Sequence, residues 1–385
     1  MNQVLCQLKC QLQHFILLGI LLIPFKWNLF EFHNTMINVL FFPLIRLSAK
    51  AMGIELILED LSSDSKGLYI HVILLLAIAF LLTVMMRSKI CDRSYIRIEK
   101  LIRTIASYYL AFLLFKYGLD KFMKTQFYLP EPNILFTPLG KLDKDILFWS
   151  TMGSSYTYNI FMGFAEVIPA ILLMIPKTRQ AGAVIAIGVL MNVLAINMAF
   201  DISVKLFSAF LLLTSFYIAI PTFERLINRG NSSPSDTVIK PLTGNPLSRK
   251  IVLSIILLIM LCESLYPLAA TQTWNDDQAD RPYLHGAYEN LDKNSEIRRL
   301  FVHRDGYLIL QDRKDNFTDL KLHIDKNSKT FLLKDYDLRQ TPVLYHFNER
   351  TGILRLDSDG KKSSFKTINL KEVPVLKDHF HWTVD

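Results

Sequence analysis

Residues Phe112–Phe127 read FLLFKYGLDKFMKTQF, an apolar helical pattern that is interrupted by charged side chains. The stretch that decides the fold extends from Arg103 to Pro221. It adds three near-continuous apolar segments, each broken by single charged or amide residues. Such residues are costly in hydrocarbon and usually face a bundle interior or a water-filled cavity. The pattern therefore predicts a membrane-embedded helical block with a polar interior.

The composition of the whole chain agrees with a membrane protein. Hydrophobic residues make up 51% of the 385 residues, and they are clumped into long runs. The formal net charge is +8, but much of the excess Lys and Arg lies in short loops between the apolar runs. That distribution is the topology signal of a multi-pass membrane protein, so we do not expect a nucleic-acid partner. The expected partners are the lipid bilayer and a membrane or periplasmic protein.

Loop charges predict about seven transmembrane helices, with a cytoplasmic N-terminus and a C-terminal domain in the periplasm. We place the first span at roughly 13–32. The segment 36–53 carries Arg46 and Lys50 in the pattern of a surface helix, so we expect it to lie at the membrane interface, with a short second span as the alternative. The remaining spans are expected at 69–86, 101–121, 156–175, 181–200, 202–220 and 251–270.

The fold class follows as an all-α polytopic membrane bundle joined to an all-β antiparallel C-terminal domain. We expect N-terminal transmembrane and interfacial helices at 1–100, a helical core at 101–221, a cytoplasmic linker at 222–250, a last transmembrane helix at 251–270 and a periplasmic β domain at 271–385. Alternating apolar and polar runs with turn signals predict roughly eight strands in that domain, as a sandwich or a small barrel. Its opening, LHGAYE at Leu284–Glu289, resembles the start of lipocalin-like barrels.

The candidate ligand-binding residues come from depth along the helices. At about 1.5 Å per residue, Lys116 lies about 20 Å from the cytoplasmic Arg103, and Glu166 lies near the midplane. Other polar residues fall at comparable depths and predict one pocket that opens outward. The full set is Lys116, Tyr117, Asp120, Glu166, Asn192, Asn197, Asp201, Lys205 and Glu263. The alternative is a set of structural ion pairs and interhelical hydrogen bonds.

No metal site is predicted. His379 and His381 form a His-x-His pattern, but a solvated strand explains it better because no Cys or carboxylate follows at ligand spacing. Cys6 and Cys10 stand one helical turn apart, and two ordinary thiols are favoured over a redox or metal pair. No nucleophile triad or phosphate-binding loop is visible, so catalytic residues stay unassigned.

Five motifs of the block resemble the DoxX-like membrane protein family, in the larger Bacteroidota-type form with extra N-terminal helices and a β-rich tail. They are KYGLDKF at Lys116–Phe122, WSTMGSS at Trp149–Ser155, FMGFAEV at Phe161–Val167, NVLAIN at Asn192–Asn197 and FDISVKLFS at Phe200–Ser208. The resemblance covers about 100–221 and implies a DoxX-like four-helix core in an integral inner-membrane protein linked to quinol or thiol redox work. Residues 101–221 contain neither cysteine nor histidine, so neither a thiol relay nor a haem site is supported there.

Two functions are consistent with these observations. In the first, the outer-half pocket binds a small molecule or a quinone for redox coupling or transport, with Glu166 as proton acceptor and Lys116 and Lys205 as charge partners. In the second, the chain is a non-enzymatic membrane subunit of an envelope assembly complex, and the β domain docks partners.

Overall fold

The computed structural model describes residues 3–25, 27, 32–56, 61, 63–86, 93–227, 246–358, 360–377 and 383. These residues divide into two compact units. The helical unit comprises Met1–Gln126 and Ile160–Trp274, and the barrel unit comprises Phe127–Asn159 and Asn275–Asp385. His379 and His381, the basic residues 87–92 and most of the expected linker at 222–250 lie outside the described residues.

Helices account for most of the first 271 residues. Their bounds are α1 (Gln3–Leu22), α2 (Phe32–Ala51), α3 (Lys66–Met85), α4 (Arg93–Phe122), α5 (Pro132–Leu135), α6 (Lys144–Gly153), α7 (Tyr156–Met174), α8 (Arg179–Ala199), α9 (Lys205–Ile227) and α10 (Pro246–Thr271). Four of them, α3, α7, α8 and α9, are long and apolar enough to cross a membrane. Shorter apolar stretches occupy Cys6–Leu22 of α1 and Ser254–Ala270 of α10.

The first helix differs from its predicted bounds. We expected a span at roughly 13–32, whereas α1 begins at Gln3 and ends at Leu22. Pro24 explains the early end, because proline has no backbone N–H to donate and it restricts the residue before it. The predicted surface segment 36–53 forms α2, which buries Ile37, Ile45 and Ala49 and exposes apolar residues on its other side.

The core of the helical unit is formed by apolar side chains from α1, α3, α4, α7, α8 and α9. Small residues let the backbones approach. A Cβ atom added to Gly182 of α8 would lie 2.8 Å from the Cβ atom of Leu172 in α7. Close backbone approach through glycine and alanine is the usual way that membrane helices pack. At Gly182 the absence of a side chain therefore lets α8 lie directly against α7.

The C-terminal residues form eight antiparallel strands that close into a barrel in sequence order. The strands are β1 (Gly286–Asn290), β2 (Ile297–His303), β3 (Tyr307–Asp312), β4 (Phe317–Asp325), β5 (Thr330–Lys334), β6 (Gln340–Asn348), β7 (Ile353–Ser358) and β8 (Lys361–Thr367). β1 pairs with β8, for example Glu289 with Lys366, and closure leaves no unpaired edge. Of the two architectures considered, sandwich and barrel, the chain forms the barrel. Its interior is apolar, with Leu300, Leu308, Phe331 and Leu354 almost completely buried.

The barrel unit also contains the segment between α4 and α7, which lies between the predicted spans 101–121 and 156–175. Phe136, directly after α5, stacks on Phe301 of β2 with ring centroids 6.0 Å apart. The Arg299 guanidinium lies 4.5 Å from the centre of the Phe136 ring. The buried Gln311 amide donates to the Phe136 carbonyl oxygen at 3.1 Å. Segment 127–159 therefore covers the outer face of β1–β3 and completes that part of the fold.

Candidate functional site

The most deeply buried ion pair of the helical unit joins Lys121 of α4 to Glu166 of α7. Lys121 Nζ lies 2.7 Å from Glu166 Oε2, and both side chains are 4% exposed. The same ammonium donates to the side-chain oxygen of Gln126 at 2.9 Å and lies 5.9 Å from the centre of the Tyr117 ring. The carboxylate and the ammonium therefore have polar partners although they are removed from solvent.

Two glycines explain why these helices meet at the Lys121–Glu166 pair. A Cβ atom on Gly118 would lie 2.9 Å from the carbonyl oxygen of Gly163, and one on Gly163 would lie 3.0 Å from the carbonyl oxygen of Gly118. Lys121 follows Gly118 by three residues, and Glu166 follows Gly163 by three. Residues three apart share a helix face, so the contact that brings the glycines together also brings the two charges together.

Lys116 and Asp120 form a second pair within α4. Lys116 Nζ lies 3.4 Å from Asp120 Oδ2, and the side chains are 9% and 14% exposed. Asp120 also accepts a hydrogen bond from Thr125 Oγ1 at 3.2 Å. The two residues stand four apart on one helix, so their attraction fixes no helix against another. The expected charge partner of Glu166 is thus corrected: its hydrogen-bonded cation is Lys121, and Lys116 donates to Asp120.

Lys205 belongs to a third group at the beginning of α9. Its Nζ lies 2.7 Å from Asp201 Oδ1 and 3.9 Å from Asp64 Oδ2. Asp64 also accepts from the backbone N–H groups of Lys205 and Leu206 at 2.7 and 3.0 Å. Carboxylates at a helix N-terminus satisfy its unpaired N–H groups and complement its dipole. The prediction that Lys205 partners Glu166 is therefore wrong, because the Lys205 ammonium pairs with Asp201 and Asp64 instead.

Two of the remaining predicted residues, Asn197 and Asn192, have surroundings of their own. Asn197 is buried and donates to Ser208 Oγ at 3.1 Å, which links α8 to α9. Glu263 of α10 is fully buried. Asn192 is exposed, because α8 buries the face that carries Ala186, Leu190 and Asn197. The expectation that Asn192 faces the bundle interior is corrected accordingly.

The barrel unit contains a charged cluster that sequence reasoning missed, made of Glu131, Asp276, His285 and Arg304. Glu131 is 5% exposed and lies 2.9 Å from Nε2 of His285, and Arg304 Nε also donates to it. Arg304 NH1 donates to Asp276 Oδ2 at 2.7 Å. The Arg304 guanidinium additionally lies 4.4 Å from the centre of the Tyr128 ring. The Glu131 cluster joins the 127–159 segment to the strands.

The electrostatics of the Glu131 cluster favour the charged state. Burial by itself raises the pKa of Glu131, but the hydrogen bond from His285 and the positive charge of Arg304 together lower this pKa to about 2. Burial lowers the pKa of Arg304, but the hydrogen bond to Asp276 and the negative charge of Glu131 outweigh burial, so the pKa of Arg304 is raised. Each charged side chain of the cluster has a partner of opposite charge. The cluster therefore stabilises the fold of the barrel unit, and none of its side chains is evidently available as a catalytic acid or base. The feature of the sequence that could have indicated the Glu131 cluster is a carboxylate between two prolines, Pro130-Glu131-Pro132.

Metal ligation has no support among the described residues, where no group of three His, Cys, Asp or Glu side chains is placed to hold an ion. Cys10 Sγ lies 3.8 Å from His14 Nδ1, and the same nitrogen lies 3.0 Å from Thr83 Oγ1. This contact ties α1 to α3. The candidate site of the helical unit is therefore the Lys121–Glu166 pair with Gln126 and Tyr117 around it.

The fold and this site define a helical protein with four helices long and apolar enough to span a membrane, joined to an antiparallel eight-stranded β-barrel. The chain is similar to YwoB of Bacillus subtilis (strain 168), a protein described as uncharacterised, with 39% identity over 104 residues. The match covers 27% of this chain and 66% of YwoB, so the chain spans just under two thirds of that relative's length. No family model matches the sequence, and no solved structure matches it.

Proposed function

We propose that the helical unit binds the polar end of a small molecule at the Lys121–Glu166 pair, with a quinone head group as the specific candidate. Binding there would serve redox coupling or transport, and Glu166 would act as the proton acceptor. The single observation that carries the proposal is the 2.7 Å ion pair whose two side chains are 4% exposed. Ionisable side chains inside membrane helices are expensive, and they commonly mark ligand, ion or proton pathways.

Stability alone is a weak reason for such a pair. Taking two charges out of water costs several kcal/mol per ion, and replacing a buried pair by apolar side chains is often neutral or stabilising. Lys121 and Glu166 could therefore be replaced by packing residues without loss of the fold. A role in binding or proton exchange accounts for the charges better than a role in holding α4 against α7, which Gly118 and Gly163 already do.

The chemistry of the pair suits a carbonyl-bearing ligand. A lysine ammonium has three donors, and in the described structure Lys121 donates to Glu166, to Gln126 and, at 3.5 Å, to the Tyr117 carbonyl oxygen, so a ligand would replace one of these acceptors. A quinone carbonyl oxygen can accept one of these hydrogen bonds, while the Glu166 carboxylate is placed to take a proton. The rings of Phe122 and Phe164, with centroids 5.1 Å apart, lie on the same two helices and supply apolar surface.

We place the protein in the bacterial inner membrane as a multi-pass protein with a DoxX-like four-helix core and about seven spans. Four long apolar helices and two shorter apolar stretches support the span count, and α4 covers the remaining expected span at 101–121. Basic loops support a cytoplasmic N-terminus and a periplasmic barrel unit. The eight-stranded up-and-down topology supports a lipocalin-like barrel, an architecture that this class shares with other small barrels.

The test uses a double variant that removes both charges and keeps the volume, Lys121→Met with Glu166→Leu. Protein is purified gently from its membrane, and bound small molecules are measured by native mass spectrometry and by solvent extraction for quinones. We expect the wild type to carry a bound molecule that the double variant has lost, with thermal stability equal to or above that of the wild type. The control is Asp201→Asn, which alters an ion pair whose carboxylate side chain is 84% exposed.

Loss of the bound molecule only in unstable variants would contradict the proposal, and so would equal retention in the wild type and the double variant. In the latter case the pair would be structural, and the occupant of the helical unit would have to contact other residues.

A second candidate function has one specific observation in its favour. Segment 127–159 covers the outer face of β1–β3, whereas Leu332 of β5 and Leu344 of β6 are 38% and 58% exposed on the outside of the barrel. An apolar outer face suits a protein partner, as expected for a membrane subunit of an envelope assembly complex. If the barrel docks a protein partner, the double variant Leu332→Lys with Leu344→Lys should lose that partner in cross-linking experiments. The double variant Lys121→Met with Glu166→Leu should keep it.

A further inference from the structure

The barrel encloses a cavity of about 350 Å³ that none of the interactions described above uses. Its walls come from strands all around the barrel, and they combine apolar side chains with polar ones. They include Leu300, Leu308, Leu310, Leu333, Val343 and Phe365. Small barrels of about eight strands either fill their interior with side chains or hold one small ligand. A cavity of this volume belongs to the second group and lies near the lower end of the range for small-molecule sites.

One end of the barrel is filled by aromatic side chains. Phe331 and Tyr345 stack with ring centroids 4.5 Å apart, and Tyr288 meets Phe347 edge to face at 6.4 Å. The Tyr288 hydroxyl donates to the Leu284 carbonyl oxygen at 2.7 Å, so its polar group is satisfied. These residues lie toward the ends of the strands that the β4–β5 and β6–β7 turns join. The cavity therefore extends toward the opposite end.

The opposite end is polar and carries positive charge. Residues that line the cavity there belong to the hairpins between β1 and β2, between β5 and β6, and between β7 and β8. Among them are Asp335, Arg339 and Lys361. One Asp335 carboxylate oxygen accepts from the Arg339 backbone N–H at 2.8 Å, which closes the β5–β6 turn. Within the described part of the chain, neither Arg339 nor Lys361 forms an ion pair through its side chain.

We infer that the barrel binds a single-chain anionic amphiphile, such as a medium-chain carboxylic acid, with its chain among the leucines and its head group between Arg339 and Lys361. The apolar part of the lining favours a hydrocarbon chain over water, because water needs polar partners that those leucine, valine and phenylalanine side chains lack. Two basic side chains at the mouth select a negative head group. The volume suits one short chain and not the two chains of a membrane phospholipid. This site is distinct from the Lys121–Glu166 pair and does not depend on it.

The probe is radiolabelled decanoate, measured by equilibrium dialysis against the full-length protein in amphipol, with decanol and decyltrimethylammonium as chain-matched competitors. We expect saturable binding of one decanoate per chain. Unlabelled decanoate should displace the probe at least about tenfold more effectively than either competitor, since a charge-assisted hydrogen bond is lost with both.

Two matched pairs of variants locate the site. Leu333→Trp fills the cavity, whereas Leu332→Trp changes the preceding residue of β5, whose side chain points outward. Arg339→Gln with Lys361→Gln removes the basic mouth, whereas Lys362→Gln alters the adjacent outward-facing residue of β8. We expect Leu333→Trp to abolish decanoate binding, the mouth double variant to weaken it about tenfold, and both controls to stay within about twofold of the wild type.

The mouth variants keep the test decisive even where Leu333→Trp prevents folding, because Arg339 and Lys361 are both exposed. The inference is overturned by any of three results: no saturable binding of decanoate, equal displacement by decyltrimethylammonium, or unchanged binding in a folded mouth variant.

Discussion

The Glu131 carboxylate accepts a hydrogen bond from Nε2 of His285 at 2.9 Å, across 154 positions of the chain. Glu131 is the residue before α5, and His285 is the residue before β1. The same carboxylate also pairs with Arg304, directly after β2. One buried side chain thus fastens segment 127–159 to the start of the barrel. The geometry identifies this pairing as the key contact of the barrel unit.

Glu131→Gln should lower the free energy of unfolding of the barrel unit by on the order of 3 kcal/mol. This is the free energy that corresponds to lowering the pKa of Glu131 from 4.5 to about 2. The amide keeps the size of the side chain but loses the charge that pairs with Arg304. Hydrogen exchange followed by mass spectrometry measures this locally, and we expect faster exchange in peptides that cover 127–136 and 284–304. Asp305→Asn is the control, because its side chain is 70% exposed beside His303 and should change the exchange rates little.

The same pairing predicts how stability depends on pH. The folded-state pKa of Glu131, about 2, lies below its ordinary value of 4.5, so the stabilising contribution is complete above about pH 4.5 and is lost as the pH falls toward 2. The stability difference between the wild type and Glu131→Gln should therefore shrink over this interval. Thermal unfolding at a series of pH values from 6 to 2.5 measures it. A difference that stays constant across the series would show that the carboxylate is not charged in the fold.

The strands of the barrel were largely predictable, because their signals are local. Side chains alternate between the interior and the solvent with a period of two, and glycine marks the turns. Gly306 and Gly352 have φ values of +74° and +65°, the left-handed region that glycine tolerates best. The position of segment 127–159 was missed, because contacts such as that between Glu131 and His285 leave no periodic pattern.

The candidate site was predictable in part. Glu166 stood out because a carboxylate in the middle of an apolar run is rare in membrane helices. Its partner could not be chosen by depth alone, since Lys116 and Lys121 lie on one helix, about 7.5 Å apart along its axis, and they also face different directions. That direction is decided by the packing of Gly118 against Gly163, which is a tertiary contact. The prediction that Asn192 faces the bundle interior was wrong for the same reason. The depth of Asn192 along α8 could be estimated from the sequence, but the side of the helix that packs against the other helices could not.

Charge removal at the Lys121–Glu166 pair should be strongly non-additive. Glu166→Gln or Lys121→Met alone leaves one buried side chain without its partner, which typically costs about 3–5 kcal/mol. The double variant Lys121→Met with Glu166→Leu removes both charges and should unfold near the wild-type temperature. The measurement is a double-mutant cycle of thermal stability in detergent. Additive losses in the cycle would show that the two side chains do not interact in the folded protein.

Glycine at position 118 should be far less replaceable than glycine at position 188. A Cβ atom at Gly118 would lie 2.6 Å from the Val167 side chain and 2.9 Å from the Gly163 carbonyl oxygen, which is backbone and cannot rotate away. Gly118→Ala should therefore push α4 from α7, lower the thermal stability and lengthen the Lys121–Glu166 contact. At Gly188 of α8 no atom lies within 4 Å of the added Cβ atom, and alanine is the better helix former by about 1 kcal/mol. Gly188→Ala should consequently leave the unfolding temperature unchanged or raise it, as measured by size-exclusion chromatography of heated, detergent-solubilised protein. If alanine is tolerated equally well at positions 118 and 188, α4 and α7 lie further apart than the structure places them. The contact of Gly118 with Gly163 would then not position Lys121 against Glu166.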